Sequence, residues 1–292
     1  MGSYELERPA WAIAPEDAAA RCCDFIRDQL AAAGRERIVV GLSGGIDSAV
    51  AAGLAVRALG PDKVLGILMP YATSNPASLA DAQAVAKHLR VATETVEITP
   101  AAVACLQILS EGGQPPSRIR AGNVMARCRM IVLYDRSARD DSLVLGTGNR
   151  TEALLGYTTM YGDNACALNP IGQLYKTEIR LLADWLDLPE AVLTKAPSAD
   201  LWEGQADEDE LGFTYSQVDR LLHHQVDEGL GRQQLQALGF GPELIDRVAA
   251  RMRAMAFKRQ SPPVAAMPGR RDPDEPEIGD DATACPPDGG FH

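Results

Sequence analysis

The chain has 292 residues, 46% of them hydrophobic, and a formal net charge of −12. That length supports one large core or two small domains, and the acidic balance argues against non-specific binding to nucleic acid or to an anionic membrane, both of which need clustered Lys and Arg. The six cysteines include no C-x-x-C pair, the four histidines show no zinc spacing, Met1 to Arg8 lacks a signal-peptide core and no apolar run reaches membrane-spanning length, so a reducing cytoplasm is the expected location.

In chain order, Glu16 to Ala33 carries apolar residues at helical spacing between Pro15 and Gly34 and predicts a helix. Ile38-Val39-Val40-Gly41-Leu42 reads as a buried parallel strand, and Ala49 to Leu59 as the helix after it. Val64 to Met69 predicts a second strand, and Ser78 to Leu89 a helix capped by Ser78 with Asp81 in its first turn. Thr93 to Ile98 predicts a third strand, Ala101 to Glu111 and Arg118 to Arg139 two helices, and Leu143-Val144-Leu145-Gly146 a fourth strand. Strands alternating with helices imply an α/β fold with a doubly wound parallel sheet. Ligands of such sheets sit beyond the carboxyl ends of the strands, so the loops Gly41–Ser48, Met69–Ser74 and Gly146–Glu152 are expected to line one crevice.

The second half adds C-terminal helices at Leu174 to Leu186, Thr214 to Glu228 and Pro242 to Phe257. Between the first two lies Lys195 to Gly212, an acid-rich loop of a length that is usually functional. From about Gln260 the chain turns rich in Pro, Gly and Asp. Residues 1–260 are therefore expected to form one domain and 261–292 a disordered acidic tail.

The chemistry concentrates in Ser43-Gly44-Gly45-Ile46-Asp47-Ser48, between the first strand and its helix. Glycines let backbone N–H groups approach a phosphate, and a helix N-terminus adds unsatisfied donors and partial positive charge. Ser43 and Ser48 bring hydroxyl donors. Asp47 beside a polyphosphate would repel it unless Mg²⁺ bridges the two. No Gly-Lys-Ser/Thr follows, so this is not a Walker loop.

Four further stretches each admit two readings. Gly146-Thr147-Gly148-Asn149-Arg150-Thr151-Glu152 is either an ordinary strand-to-helix loop or a site where Thr147 meets a nucleotide and Glu152 shares Mg²⁺ with Asp47. Arg127 and Arg129 lie two apart on a helix and point to different sides, one to the surface and one to the crevice. The rings of Tyr157 and Tyr161 suit stacking on a planar heterocycle or plain packing. Lys176 at a helix start opposes the helix dipole and is either solvated or answered by a bound anion.

The hexapeptide resembles the signature loop of the ATP pyrophosphatase (PP-loop) enzymes, which split ATP between its α and β phosphates. Taken in order, Ser43–Ser48, Gly122–Arg129, Gly146–Glu152, Tyr161–Asp163, Tyr175–Thr177, Pro197–Gln205, Asp207–Gly212 and Lys258-Arg259 resemble the NAD⁺ synthetase family over Ala18 to Pro263. Tyr161-Gly162-Asp163 and the Pro197–Gly212 block are the more particular of these.

The resemblance implies a Rossmann-like fold of the adenine nucleotide alpha hydrolase type, and amidation of deamido-NAD by ammonia through an adenylate, yielding NAD⁺, AMP and pyrophosphate. ATP is then a co-substrate and Mg²⁺ the cofactor. Gly41, Ser43, Gly44, Gly45, Ile46, Asp47, Ser48, Arg127, Thr147, Lys176 and Ser198 would bind ATP. Asp47 and Glu152 would hold the metal, and Tyr157, Asp163, Lys258 and Arg259 would meet deamido-NAD. A homodimer is implied, with the substrate at its interface and Lys195–Gly212 as a lid. Glutamine-using members carry a large amidase domain in front, and only a short helix precedes the first strand here, so the expected donor is free ammonia or ammonia from a separate glutaminase.

The pattern departs from some members at Leu68-Met69-Pro70, where an Arg precedes the Pro, and at Met160, Ala167 and Phe257. Two rivals stand beside this reading: another PP-loop enzyme, tRNA-modifying or GMP synthetase-like, and a non-catalytic adenine-nucleotide sensor.

Overall fold

Four short parallel strands order the molecule: β1 (Arg37–Gly41), β2 (Val64–Leu68), β3 (Ala92–Thr95) and β4 (Ser142–Val144), arranged β3-β2-β1-β4. The computed structural model describes residues 8–195, 212–265 and 267. Val39 and Val40 of β1 are fully buried, as expected of a strand covered on both faces. Val39 pairs with Leu65 on one side and Val144 on the other, so β1 is central. Chain order runs outward from β1 to β2 and β3 in one direction and to β4 in the other. That reversal opens a crevice between the carboxyl ends of β1 and β4.

The helices are α1 (Pro15–Ala32), α2 (Ile46–Leu59), α3 (Pro76–Leu89), α4 (Thr99–Ile108), α5 (Arg118–Arg139), α6 (Arg150–Leu155), α7 (Lys176–Trp185), α8 (Glu190–Thr194), α9 (Tyr215–Leu222), α10 (Arg232–Ala237) and α11 (Pro242–Ala254). α1, α2 and α7 pack together on one face of the sheet. The stretch Ala49 to Ala55 of α2 is buried on every side, and its run of alanines lets neighbouring helices approach closely. Val132 and Leu133 of α5 cover the other face against Val39, Ile67 and Val144. A second core gathers Leu155 with Tyr215, Val218, Leu221, Leu235 and Ile245. It fixes α6 to the C-terminal helices. The chain divides into Met1–Arg259 and Gln260–His292; Gln260 to Ala265 has neither helix nor strand.

The fold matches the doubly wound α/β expectation, with local corrections. α3 starts at Pro76, not Ser78, and its cap is Asn75, whose side chain accepts from the Ala77 N–H at 2.9 Å. Asn followed by Pro is itself a helix-start signal. α2 begins at Ile46, directly on the loop, rather than at Ala49. α8 and α10 were not anticipated, and α9 gives way after Leu222 to a π turn, His223–Asp227.

Gly44 makes the turn out of β1 possible. Its φ is +77°, and a Cβ there would overlap the carbonyl oxygen of Ser78 in α3. Gly44→Ala is expected to lower the unfolding free energy by about 1–2 kcal/mol from left-handed strain alone, with the steric overlap in addition. Equilibrium urea unfolding measures this, and a variant as stable as the native chain would contradict it.

Candidate active site

The loop that follows β1 is held from within. The Leu42 N–H donates to the Ile67 carbonyl at 2.9 Å and keeps the chain beside β2. The Ser48 hydroxyl donates to the Gly45 carbonyl at 2.9 Å, and the Gly45 N–H donates to Ser43 Oγ at 3.2 Å. Ser48 therefore shapes the loop, and its hydroxyl proton is engaged inside it. α2 begins with Gly45 as N-cap and no side-chain cap bond. Its first-turn N–H groups thus present donors at the crevice.

Asp47, in the first turn of α2, faces the start of α6. Asn149 is the N-cap of α6 and is fully buried. Its side-chain N–H donates to Asp47 Oδ1 at 2.8 Å, and its Oδ1 accepts from the Glu152 N–H at 2.9 Å. Glu152 Oε2 in turn accepts from the Asn149 N–H at 3.2 Å, closing a capping box. One asparagine therefore ties the loop after β1 to the loop after β4. The spacing Asn149-x-x-Glu152 was the sequence signal for it.

Lys176 lies between the two acids. Its ammonium is ion-paired with Asp47 and stands 3.8 Å from Glu152 Oε1, with the side chain only 3% exposed. Carboxylates of this chain thus meet the charge that opposes the helix dipole, and the lysine is buried rather than solvated. Burial and the charge of Asp47 push the Glu152 carboxyl well above the usual range, against the pull of Lys176. At neutral pH this keeps Glu152 largely protonated while Asp47 and Lys176 balance each other; a small divalent cation displacing the Glu152 proton would meet two hard oxygen donors.

Beneath this group sits Asp219 of α9, fully buried. Its Oδ1 accepts from Thr151 Oγ1 at 2.6 Å, and its Oδ2 accepts from the Thr177 N–H at 2.7 Å and Thr177 Oγ1 at 2.8 Å. The Lys176 N–H donates to Thr151 Oγ1 at 3.0 Å. Asp219 therefore fastens the first turns of α6 and α7 to each other. The sequence reading missed it, although a signal existed. Tyr215, Val218, Asp219 and Leu222 fall at i, i+3, i+4 and i+7, which puts a carboxylate on an apolar helix stripe.

The expected site residues largely converge. A crevice of about 1640 Å³ is lined by Gly41, Ser43, Gly45, Ile46, Asp47 and Ser48 on one side, and by Thr147, Glu152, Tyr157, Asp163, Lys176 and Lys258 on the other. Gly44 is buried under the loop. Asp163 organises its own turn, accepting from Thr158 Oγ1 at 2.6 Å and the Thr159 N–H at 2.7 Å. Lys258 Nζ donates to the carbonyls of Gly156 at 2.9 Å and Thr158 at 2.6 Å.

Two expected residues lie elsewhere. Arg127 is exposed, outside the crevice lining, and donates to the Met160 carbonyl at 3.1 Å, whereas Arg129 lines the crevice. Arg259 donates to the Leu154 carbonyl at 2.8 Å and the Met252 carbonyl at 3.2 Å, tying the end of α6 to α11. Ser198 lies outside the described residues, as does most of the expected lid. Lys195, a crevice residue that the sequence did not single out, donates to Asp81 Oδ2 at 2.8 Å and Ser78 Oγ at 3.1 Å, beside Gly44.

Comparison with known proteins follows the same geometry. The NAD synthase family model matches residues 18–262. The NH(3)-dependent NAD(+) synthetase of Pelodictyon phaeoclathratiforme is 48% identical over 246 residues, covering 84% of this chain and 87% of that protein. The enzyme of the same name from Wolinella succinogenes is 45% identical over 247 residues, covering 85% and 94%. Among solved structures, the NH3-dependent NAD synthetase from Campylobacter jejuni in complex with nitrate superposes with a TM-score of 0.73 at 36% identity, covering 87% of this chain and 100% of that one. NMN synthetase from Francisella tularensis gives a TM-score of 0.76 at 32% identity, covering 88% and 100%.

Burial raises the Asp219 carboxyl from 3.8 to about 6, against the opposing pull of Thr151, Thr177 and Lys176. A raised folded-state value means that the native chain holds this proton where the unfolded chain has released it. The group's contribution to stability is therefore fully present below about pH 4 and is lost as pH rises through about 6. Asp219→Asn cannot titrate, so its stability relative to the native chain should improve as pH rises across that window. Denaturant unfolding at several pH values checks this, and a difference that stays flat with pH would contradict it.

Proposed function

The chain belongs to the NAD synthase family, and from that premise we propose how its own residues serve the reaction. The enzyme is an ATP-dependent ligase that amidates deamido-NAD with ammonia to NAD⁺. The observation that supports the site assignment is the meeting of Asp47, Glu152 and Lys176 at the carboxyl ends of β1 and β4, beside an N–H-rich loop.

Ser43, Gly45 and the first N–H groups of α2 would cradle the pyrophosphate portion of ATP. Asp47 and Glu152 would hold Mg²⁺, their oxygens fitting its preference, with the Glu152 proton given up as the ion binds. Bound there, the ion would relieve the repulsion between a nicotinate carboxylate and the polyphosphate. Lys176 would then turn its charge toward the phosphates. Thr147 would face the nucleotide, and Tyr157, Asp163 and Lys258 would form the deamido-NAD side. Ser198 would join the phosphate contacts.

A nicotinate oxygen bonds to the α phosphorus as the bond from that phosphorus to the leaving pyrophosphate breaks. Ammonia then bonds to the carbonyl carbon, AMP departs with the C–O electron pair, and the surplus proton passes to solvent. No side-chain nucleophile is required, because ATP supplies the activation.

A homodimer fits the surface. Ile108 of α4 is 82% exposed, and Ile119 and Ile131 of α5 are 71% and 62% exposed. α5 also lines the crevice through Asn123 and Arg129. A second copy docked on α5 would cover these isoleucines and bring the outward-facing Arg127 to the partner's substrate. Among the described residues no helix is long and apolar enough to cross a membrane, and the five cysteines that the structure describes are free thiols, in keeping with a cytoplasmic location.

Incubating the chain with ATP, Mg²⁺, deamido-NAD and ammonium should yield NAD⁺ and pyrophosphate in equal amounts, with glutamine unable to replace ammonium. Nicotinic acid mononucleotide is the informative second substrate, given the likeness to an NMN synthetase, and a preference for it would move the assignment. Asp47→Asn should cut turnover at least about a hundredfold with an unchanged circular dichroism spectrum; near-normal turnover would reject the metal assignment. Ile131→Asp should shift the chain from dimer to monomer by light scattering, and an unaltered mass would place the interface elsewhere.

A further inference from the structure

α9 runs into a π turn, His223–Asp227, closed by a bond from the Glu228 N–H to the His223 carbonyl at 3.2 Å. The wider turn changes which side chains meet. In an α-helix, residues five apart point about 140° away from one another. A π turn adds one residue per turn and aligns them. His223 Nε2 accordingly lies 3.3 Å from Glu228 Oε1, and His224 Nδ1 lies 2.7 Å from Glu228 Oε2. One ligand-type atom from each of the three side chains lies within 4.8 Å of the other two.

The two rings are held in place. His223 stacks on Trp11 with centroids 5.2 Å apart, and its Nδ1 faces Asp227 Oδ2 at 3.4 Å. Asp227 is itself fixed by the Tyr175 hydroxyl at 2.7 Å and by the Arg150 guanidinium. His224 packs edge-on against Phe240 at 6.1 Å. A carboxylate behind the outer ring nitrogen is the usual companion of a metal-ligating histidine, because it sets the tautomer and the ring orientation.

We propose that His223 Nε2, His224 Nδ1 and the Glu228 carboxylate form a binding site for a borderline divalent transition metal of the Zn²⁺ class. Two imidazoles and one carboxylate suit zinc, whereas Mg²⁺ and Ca²⁺ take shells of oxygen. Three protein ligands leave a fourth position for water. None of the three residues lines the ligase crevice, so this site is separate from the proposed Mg²⁺ acids and does not depend on their assignment.

The test uses the full chain, stripped with chelator and titrated with Zn²⁺ alone in a large excess of Mg²⁺ that saturates the crevice acids. The expected result is about one zinc held per chain, with affinity reduced at least about tenfold in His223→Gln, His224→Gln and Glu228→Gln. Circular dichroism checks that each variant is folded, and the exposed Glu228 provides a variant that leaves the ring packing alone. Failure of the native chain to bind zinc would overturn the proposal and leave an ion-pair cluster. So would zinc retained undiminished in the His223→Gln/His224→Gln double variant, since that binding would belong to the cysteines or the crevice.

Discussion

One buried ammonium joins the two sides of the crevice floor. Lys176 reaches from the start of α7 to Asp47 after β1 and Glu152 after β4, so three distant segments meet at a single positive charge. Without it, Asp47 would lie without a counter-charge beside the protonated Glu152 carboxyl in a poorly solvated place, and the two loops would lose the charge that joins them. Asn149 fixes the spacing from the other side by bonding Asp47 and capping α6 at once. Partners within this chain therefore fix the spacing of the two acids.

The C-terminal helices explain why that arrangement is rigid. Asp219 accepts from both threonines that flank the charge group, one on α6 and one on α7. A buried network of this kind holds its members to one geometry, because losing any partner strands the others without water. The second core, built around Tyr215 and Leu155, keeps the carboxylate in place. What reads in the sequence as a helical appendage is the support on which the crevice loops rest.

The sheet and the main loops were legible because their signals are local. Val39 and Val40 sit in an unbroken apolar run, and Gly44-Gly45 after it permits one kind of turn. Three features were not legible. Periodicity separates Arg127 from Arg129 but does not say which one faces the crevice; that depends on how α5 rolls against β1 and β4. The partners of Lys176 come from another strand end, 129 residues away in the case of Asp47, and no window of sequence contains both. Arg259 was grouped with Lys258 as a ligand contact, yet backbone carbonyls at the end of α6 claim it first. Local patterns specify elements, and tertiary geometry decides which side chains are already engaged.

The position of Asp219 in the chain has a consequence for biosynthesis. A ribosome releases the loop after β1, both acids and the lysine before it releases α9, and at a pace of roughly 5–20 residues per second the lysine precedes Asp219 by a matter of seconds. During that interval Thr151 and Thr177 lack their common acceptor, and the nascent chain carries both acids and the lysine without the group that holds α6 and α7 in register. Rigid placement of the crevice floor thus waits for the C-terminal helices.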